Sequence, residues 1–250
     1  MRFPQNLRFT RAVKSLCVIS IFLFAGVAMA KDFWETKIFV QWSQKECQKL
    51  LTDSPWAKEL NLTGSSIIGS SGSAAATDGQ APYIKYKIQI RSADPIRQAF
   101  VRQAQINNKY DSLPDDQKRA FDQGMESFLL GPPSEVVVIH VSFEANNRDY
   151  IRDLNRHWEM QTADMLKNSI FLSASKGEKV SIAQFIPGDS SSQEFQLVFP
   201  REVNGKEILK PGDKALQLEF AYPIIGRLGD GSGFVEFKTD KMKINNEVIY

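Results

Sequence analysis

Residues 136–143 form the most apolar run outside the extreme N-terminus, with the sequence Val-Val-Val-Ile-His-Val-Ser-Phe. This length is typical of a strand, and valine, isoleucine and phenylalanine suit a pleated sheet. Alternate residues from Val137 to Phe143 are all apolar, and Val136 and Val138 make the start of the other face apolar as well. Because such a strand needs cover on both faces, we expect it to be central in its sheet.

Residues 1–30 have the pattern of a secretory signal peptide. Basic residues come first, an apolar segment follows at residues 16–26, and Ala28-Met29-Ala30 is a small-x-small cleavage site. The apolar segment is shorter than the roughly 18–20 residues that cross a bilayer, which favours cleavage over an uncleaved anchor. Cys17 lies too early in the segment for lipid attachment. The sequence therefore predicts a secreted or periplasmic protein with no stable transmembrane anchor after cleavage.

Removal of the signal peptide changes the charge of the chain. The full sequence carries 31 basic and 29 acidic residues, and loss of the four basic residues of the signal peptide leaves a formal net charge of −2. A near-neutral mature surface gives no electrostatic reason to expect nucleic acid or an anionic membrane as a partner. Cys47 is then the only cysteine, so an intramolecular disulfide is excluded and the core must hold the fold.

Residues 31–63 are predicted to form an N-terminal helical segment that docks on the main body. Ser43 and Glu46 have the spacing of a capping box, and Ser54-Pro55 has the pattern of a second helix start. We interpret the aromatic residues of this segment as core rather than as a sugar-stacking platform. Cys47 lies in the first helical turn, where the helix dipole could activate a thiol, and we interpret it as a buried residue instead.

A resemblance to a family of secreted bacterial proteins with no assigned function is carried by the motif Trp42-Ser43-x-x-Glu46-Cys47-x-x-Leu50-Leu51-x-x-Ser54-Pro55-Trp56. Phe199-Pro200-Arg201 after a predicted strand agrees with it, as does the last segment, Lys241-Met242 to Tyr250. The resemblance implies export from a bacterium. It brings no catalytic residue to this chain.

The middle of the chain alternates between loop, strand and helix patterns. Residues 64–80 are rich in Gly, Ser, Ala and Thr, which predicts a flexible surface loop. Residues 83–91 alternate apolar and polar side chains, as a half-exposed strand does. Helices are predicted to begin at Asp94-Pro95 and at residues 112–115, and a third covers residues 147–158 or continues to 167.

From residue 169 onward the apolar pattern has a period of two, and turn residues separate short segments. Strands are predicted at residues 169–173, 179–186, 194–199, 215–222 and 233–238, with a short one near 246–250. We predict an α+β protein in which residues 81–250 form an antiparallel, immunoglobulin-like β-sandwich of about seven strands with inserted helices. The alternative is an α+β sheet with helices packed on one face.

Motifs for chemistry are absent from the sequence. It contains two histidines, His140 and His157, and no zinc-site spacing, calcium loop or Gly-x-Ser-x-Gly nucleophile, so we predict no metal, no cofactor and no catalytic residue. His140 is interpreted as a hydrogen-bonded sheet residue, and Asp115-Asp116 as partners of a helix dipole. Residues 226–233 lack the Lys-Ser/Thr end of a phosphate loop and indicate a hairpin.

Three functional hypotheses are open. The first is a non-catalytic exported binding or structural protein that binds another envelope protein, a polymer or a small apolar ligand. The second is an extracytoplasmic hydrolase that uses Glu219, Glu236 or His140, although both glutamates fall on the outward faces of their strands, where solvation is the simpler interpretation. The third is a structural subunit that donates or accepts a strand. The lack of a catalytic pattern favours the first hypothesis over enzymatic activity.

Overall fold

A computed structural model describes residues 32–63, 81–132, 135–189 and 192–250. The predicted signal peptide at residues 1–30 and the predicted loop at residues 64–80 lie outside the described residues. The chain divides into two units at Thr36 and Lys37. In the first unit, helix α1 (Phe33–Thr36) brings the rings of Phe33 and Trp34 edge to face at 5.0 Å. The remainder of the fold belongs to the second unit.

Five helices of the second unit are α2 (Gln44–Thr52), α3 (Asp94–Asn107), α4 (Asp115–Leu130), α5 (Arg148–Glu159) and α6 (Ala163–Leu166). Helix α2 begins at the predicted capping box, which is confirmed: the backbone N–H of Glu46 donates to the Ser43 hydroxyl, and the Glu46 carboxylate accepts from the backbone N–H of Ser43. The helix predicted after residue 147 stops at Glu159, because Thr162 caps a separate short helix. None of the helices in the described part of the chain is long and apolar enough to cross a membrane.

The strands are β1 (Ala57–Thr63), β2 (Tyr83–Ile90), β3 (Val136–Ala145), β4 (Ile170–Ala174), β5 (Val180–Ser181), β6 (Gln184–Pro187), β7 (Glu194–Pro200), β8 (Glu202–Val203), β9 (Lys206–Glu207), β10 (Ala215–Ala221), β11 (Ser232–Lys238), β12 (Lys243–Ile244) and β13 (Glu247–Val248). A five-stranded sheet has the order β1-β2-β3-β7-β6, and a four-stranded sheet has the order β11-β10-β4-β5. The pairs β8-β9 and β12-β13 form separate hairpins. Every pairing is antiparallel, so the predicted α+β class with antiparallel strands is confirmed.

The central position of the apolar run is also confirmed. Strand β3 is third of five, paired with β2 on one side and β7 on the other. Its residues from Val137 to Val141 are buried without alternation, which means that both faces are covered there. In the neighbouring strands every second residue is buried, as at Ile88 of β2 and Leu197 of β7. We call the face that carries these residues the inner face of the five-stranded sheet. The inner face of the four-stranded sheet is the one that carries the buried residues Leu218 and Phe220 of β10, and the opposite faces are the outer faces.

Aromatic rings from both sheets and from α5 meet on the inner faces. The indole of Trp158 in α5 stacks on the ring of Phe195 in β7 at 4.2 Å and on that of Phe220 in β10 at 5.7 Å. Tyr86 of β2 contacts Phe220 edge to face at 5.1 Å. Full burial of a large apolar side chain contributes about 2 kcal/mol or more to folding, so this cluster is a principal source of stability.

Two predictions of local structure are wrong. Ser54-Pro55 does not begin a second helix; the hydroxyl of Ser54 donates to the carbonyl of Leu50 and closes α2, and the chain then extends into β1, which pairs with β2. The N-terminal segment is therefore helical only in part. The strand predicted at residues 179–186 is two strands, because the chain crosses from the four-stranded sheet at β5 to the five-stranded sheet at β6.

The strand predicted near residues 246–250 is one arm of a hairpin, since β13 pairs with β12 over two residues on each side. The hairpin predicted for residues 226–233 is confirmed, because β10 and β11 pair antiparallel on either side of that segment. Gly226 has a φ of +59°, and a Cβ there would lie 2.1 Å from the Tyr150 hydroxyl oxygen, so this turn needs glycine.

Candidate functional site

His140 lies on the outer face of the five-stranded sheet, in register with Gln89 and Gln196. It is buried, and its Nε2 lies 3.1 Å from a carboxylate oxygen of Glu194, to which the neutral imidazole donates. Its Nδ1 is buried without a hydrogen-bond partner among the described residues. The interpretation of His140 as a hydrogen-bonded sheet residue is confirmed.

Arg91 follows β2 on the same face, where helices contact the sheet. Its guanidinium lies 5.2 Å from the ring centre of Phe100 in α3 and 5.4 Å from that of Phe128 in α4. Burial lowers the pKa of Arg91, and the nearby charge of Glu194 opposes this. Burial, followed by repulsion from Arg91, lowers the pKa of His140 to about 4 although Glu194 favours its charged form. His140 is therefore neutral at neutral pH.

The other titratable candidates occupy ordinary structural positions. Cys47 is fully buried, and burial raises its pKa to about 11, so the interpretation of a buried thiol is confirmed. Asp115 and Asp116 lie exposed in the first turn of α4. Burial lowers the pKa of His157, whose ring lies edge to face with Trp158 at 4.9 Å. The described residues contain no group of three or more His, Cys, Asp or Glu that could hold a metal ion.

Glu219 and Glu236 lie on the outer face of the four-stranded sheet, as predicted. Glu219 of β10 accepts from Lys179 at 2.7 Å, and Glu236 of β11 accepts from Gln217 at 3.2 Å. The sheet register makes the two glutamates diagonal neighbours, because Glu219 is opposite Phe234 and Gln217 is opposite Glu236. His140 belongs to the other sheet, so the structure does not join the three groups named for the hydrolase hypothesis.

A cavity of about 860 Å³ opens at the end of the four-stranded sheet. Its walls come from β9, the loop before β10, the end of β11 and the β12–β13 hairpin. They consist of Glu207, Leu209, Lys210, Pro211, Gly212, Asp213, Lys214, Glu236, Lys238, Thr239, Asp240, Lys243, Asn246, Glu247, Val248 and Tyr250. Of the two glutamates in the hydrolase hypothesis, Glu236 borders this cavity and Glu219 does not.

A second cavity of about 610 Å³ adjoins the first. It lies between the β4–β5 turn and the β8–β9 hairpin, and it shares Glu207, Lys210 and Asp213 with the larger cavity. We call the two together the sheet-end cleft. Seven lysines and six carboxylates line it: Lys176, Lys179, Lys206, Lys210, Lys214, Lys238 and Lys243, with Glu178, Glu207, Asp213, Glu236, Asp240 and Glu247.

The cleft is built on a fixed backbone. Asp213 accepts from the backbone N–H of Lys210 at 2.7 Å, and the Thr239 hydroxyl donates to the carbonyl of Asp213 at 2.5 Å. These bonds hold the loop before β10 against the end of β11. Neither hydrogen bond involves a lysine ammonium group, so the ammonium groups of the shared wall are not needed to hold this loop in place.

Tyr250 closes one side of the cleft and is held by distant residues. The guanidinium of Arg201 donates to the carbonyl of Tyr250 at 2.6 Å and lies 4.1 Å from its ring centre. The indole N–H of Trp56 donates to the carbonyl of Ile249 at 2.7 Å. Burial raises the pKa of Tyr250. Three segments singled out in the sequence thus meet at this wall: the N-terminal motif, Phe199-Pro200-Arg201 and the final segment.

No sequence motif identifies the cleft residues as a site. Asn204-Gly205 and Pro211-Gly212-Asp213 carry turn signals, which predict reversals of the chain but not what the reversals bring together. The lysines and carboxylates of the cleft are spread from residue 176 to residue 247, with no local motif. Comparison of the chain with known protein families, with curated proteins and with solved structures finds no match.

Proposed function

We propose that this chain is an exported, non-catalytic binding protein of the bacterial envelope, secreted or periplasmic, and that the sheet-end cleft is its binding site. One observation carries the proposal: two adjoining cavities of about 860 and 610 Å³ share Glu207, Lys210 and Asp213. Each is within the size of a ligand site, and together they suit an extended occupant better than a compact one.

The charges of the cleft indicate the kind of occupant. Among the lysines of the cleft, and within the described residues, Lys179 alone has a carboxylate partner within 4.0 Å. The ammonium groups of the others remain available to carboxylates of a ligand. Asp213 and Glu236 already accept from the backbone N–H of Lys210 and from Gln217, and the other four acidic side chains are available to cations of the ligand. This nearly balanced lining favours a polymer that carries both charges, such as a polypeptide segment of another envelope protein, over a small apolar ligand.

The hydrolase hypothesis has less support. His140 is buried and neutral on the outer face of the other sheet, and Glu219 is held by Lys179 outside both cavities. Glu236 is the remaining group, and a hydrolytic mechanism needs a second acid, base or nucleophile within reach. We therefore favour binding without catalysis.

We also propose that the two sheets form an immunoglobulin-like sandwich and that the chain belongs with the secreted bacterial proteins that its N-terminal motif resembles. The ring contact between Tyr86 and Phe220 supports packing between the inner faces. Close approach of the sheets at one edge supports it too, since a Cβ on Gly233 would lie 2.5 Å from Leu60. Convergence of Trp56, Arg201 and Tyr250 gives the motif residues a shared structural role.

Titration of the isotope-labelled protein with short peptides that contain both lysine and glutamate tests the proposal by NMR. We expect shifts at Glu207, Lys210 and Asp213, and a loss of affinity of about tenfold in Lys210→Glu, which reverses a charge shared by both cavities. Lys45→Glu makes the same change on the exposed surface of α2 and should leave binding unaltered.

Absence of shifts in the cleft at millimolar peptide, or equal binding by Lys210→Glu and the unaltered chain, would contradict a mixed-charge polymer site. The same samples are assayed for peptide cleavage. If the unaltered chain cleaves the peptide and Glu236→Gln does not, the hydrolase hypothesis replaces the binding proposal.

A further inference from the structure

Two phenylalanines stand on the outer face of the four-stranded sheet with a carboxylate between them. Phe171 of β4 is opposite Glu219 of β10, which is opposite Phe234 of β11. The neighbours of Phe234 in β11 leave this face to it, because Gly233 has no side chain and Val235 is buried on the inner face. Phe234 is 56% exposed, although apolar residues of that size are normally buried.

The spacing of the two rings follows from the sheet. Neighbouring strands lie about 4.8 Å apart, so side chains separated by one intervening strand are about 10 Å apart. This distance corresponds to about two hexose units of an extended polysaccharide. A pyranose ring has an apolar face of C–H groups, which packs on an aromatic ring, and a polar rim of hydroxyl groups.

The polar groups around the rings are already compensated in charge. The ammonium of Lys179 lies 2.7 Å from the Glu219 carboxylate and over the ring of Phe171, 5.3 Å from its centre. One row along the sheet, Gln217 donates to Glu236 at 3.2 Å. A paired lysine and carboxylate give this face no preference for an ionic ligand, yet they offer donors and acceptors beside the rings.

We propose that this outer face, which we call the aromatic platform (Phe171, Glu219 and Phe234), binds a neutral polysaccharide. A sugar ring stacks on the exposed Phe234, and the next units of the polymer lie along Glu219 and the Lys179 ammonium that covers Phe171, to which their hydroxyl groups hydrogen-bond. A protein partner fits less well, because the two rings are separated by an ion pair and do not form the continuous apolar centre of a protein interface.

The platform is a different surface from the sheet-end cleft. Phe171 and Phe234 line neither of its cavities, whereas Lys179 and Glu236 stand at the border between the two surfaces. Polysaccharide binding at the platform therefore does not require that the cleft binds a peptide. A glycan that carries charged branches could contact both surfaces at once.

Depletion of the full chain from solution by amorphous cellulose and by colloidal chitin tests the inference. We expect the unaltered protein to bind at least one of these polymers, and Phe234→Ala to bind about tenfold more weakly because a stacking ring is lost. Phe234→Tyr keeps the ring and should retain binding. Ile224→Ala removes an equally exposed apolar side chain from the β10–β11 connection and should bind as the unaltered chain does.

Thermal unfolding of each variant establishes that the exposed substitution leaves the fold intact. Failure of the unaltered chain to bind either polymer, or equal binding by Phe234→Ala, would overturn the inference. If Lys210→Glu abolishes polysaccharide binding while Phe234→Ala does not, the polymer lies in the cleft and the platform has no such role. If the platform fails and mixed-charge peptides still bind, the proposed function stands without it.

Discussion

At the scale of single residues, His140 lies near both a carboxylate and a guanidinium, and burial outweighs the carboxylate in setting its charge. Glu194 favours the imidazolium, but burial and repulsion from Arg91 lower the pKa of His140 to about 4 from an ordinary value of 6.5. The folded protein therefore binds this proton less readily than the unfolded chain. The contribution of neutral His140 to the free energy of unfolding is fully present above pH 6.5, and it is lost progressively as the pH falls from 6.5 to about 4.

We expect the free energy of unfolding of the unaltered chain to decrease by up to about 3 kcal/mol across this range on account of His140. His140→Gln removes the titrating group, so its unfolding free energy should depend less steeply on pH. Urea unfolding at a series of pH values measures both curves. The difference between them isolates His140 from the carboxylates that titrate in the same range.

His157→Gln serves as the comparison. Burial also lowers the pKa of His157, but this side chain is only half-buried, whereas His140 is buried. His157→Gln should flatten the pH dependence less than His140→Gln does. Equal slopes for His140→Gln and the unaltered chain would show that His140 titrates normally in the folded protein.

At the scale of elements, the final segment of the chain depends on side chains from two other places. The carbonyl of Tyr250 accepts from Arg201, and the carbonyl of Ile249 accepts from Trp56. The two-residue strands β12 and β13 offer few ladder hydrogen bonds of their own. A hairpin of this size is marginal in water, so these long-range bonds hold it in place.

Arg201→Ala should release the final segment from the wall of the cleft. It removes hydrogen bonds to the carbonyls of Tyr250 and Val136 and a cation–π contact with Tyr250, which together contribute about 1–3 kcal/mol. We expect faster amide hydrogen exchange over residues 242–250, with little change in β3 and β7. Mass spectrometry of peptic fragments measures the effect.

Arg156→Ala is the matched control, because Arg156 is exposed on α5. It should leave exchange in residues 242–250 as in the unaltered chain. Unchanged exchange in Arg201→Ala would mean that the hairpin is held by other contacts.

At the scale of the whole molecule, Trp158 joins a helix to both sheets. Its indole contacts Phe195 of the five-stranded sheet and Phe220 of the four-stranded sheet, both with nearly parallel rings. Loss of this side chain would leave a cavity where the elements meet. Its effect should therefore reach the cooperative unfolding of the molecule rather than one element.

Trp158→Ala should lower the free energy of unfolding by about 3–5 kcal/mol, the range for removal of a large buried aromatic side chain. Trp158→Phe keeps much of the volume and should lose less. Urea unfolding followed by circular dichroism measures both. Met160→Ala, at an exposed position just after the same helix, should change stability by under about 0.5 kcal/mol. A loss of less than about 1 kcal/mol in Trp158→Ala would show that the two sheets do not depend on this contact.

Local patterns predicted much of the fold at each of these scales. Period-two alternation identified β2, β7, β10 and β11, a continuous apolar run identified β3, and the capping box identified the start of α2. The burial of Cys47 and the place of His140 within a strand also followed from their neighbours in sequence. These features depend on residues close together in the chain, so the sequence contains the needed information.

β1 and the cleft could not be found in this way. Strand β1 is mostly polar or half-buried at Lys58, Glu59 and Asn61, and it forms because β2 offers an edge to pair with. Of the shared cleft residues, Asp213 belongs to a turn signal, and Glu207 and Lys210 have no local pattern that marks a site.

By itself, then, the sequence determined most of the helices and strands, with β1 as the main exception, because side-chain periodicity and capping act over a few residues. The tertiary structure alone decided where the chain changes sheets after β5, that Trp56 and Arg201 meet the final segment, and that lysines and carboxylates from separate turns line one cleft. Those outcomes depend on contacts between residues far apart in the chain, which form only when the two sheets and α5 bury their aromatic side chains together.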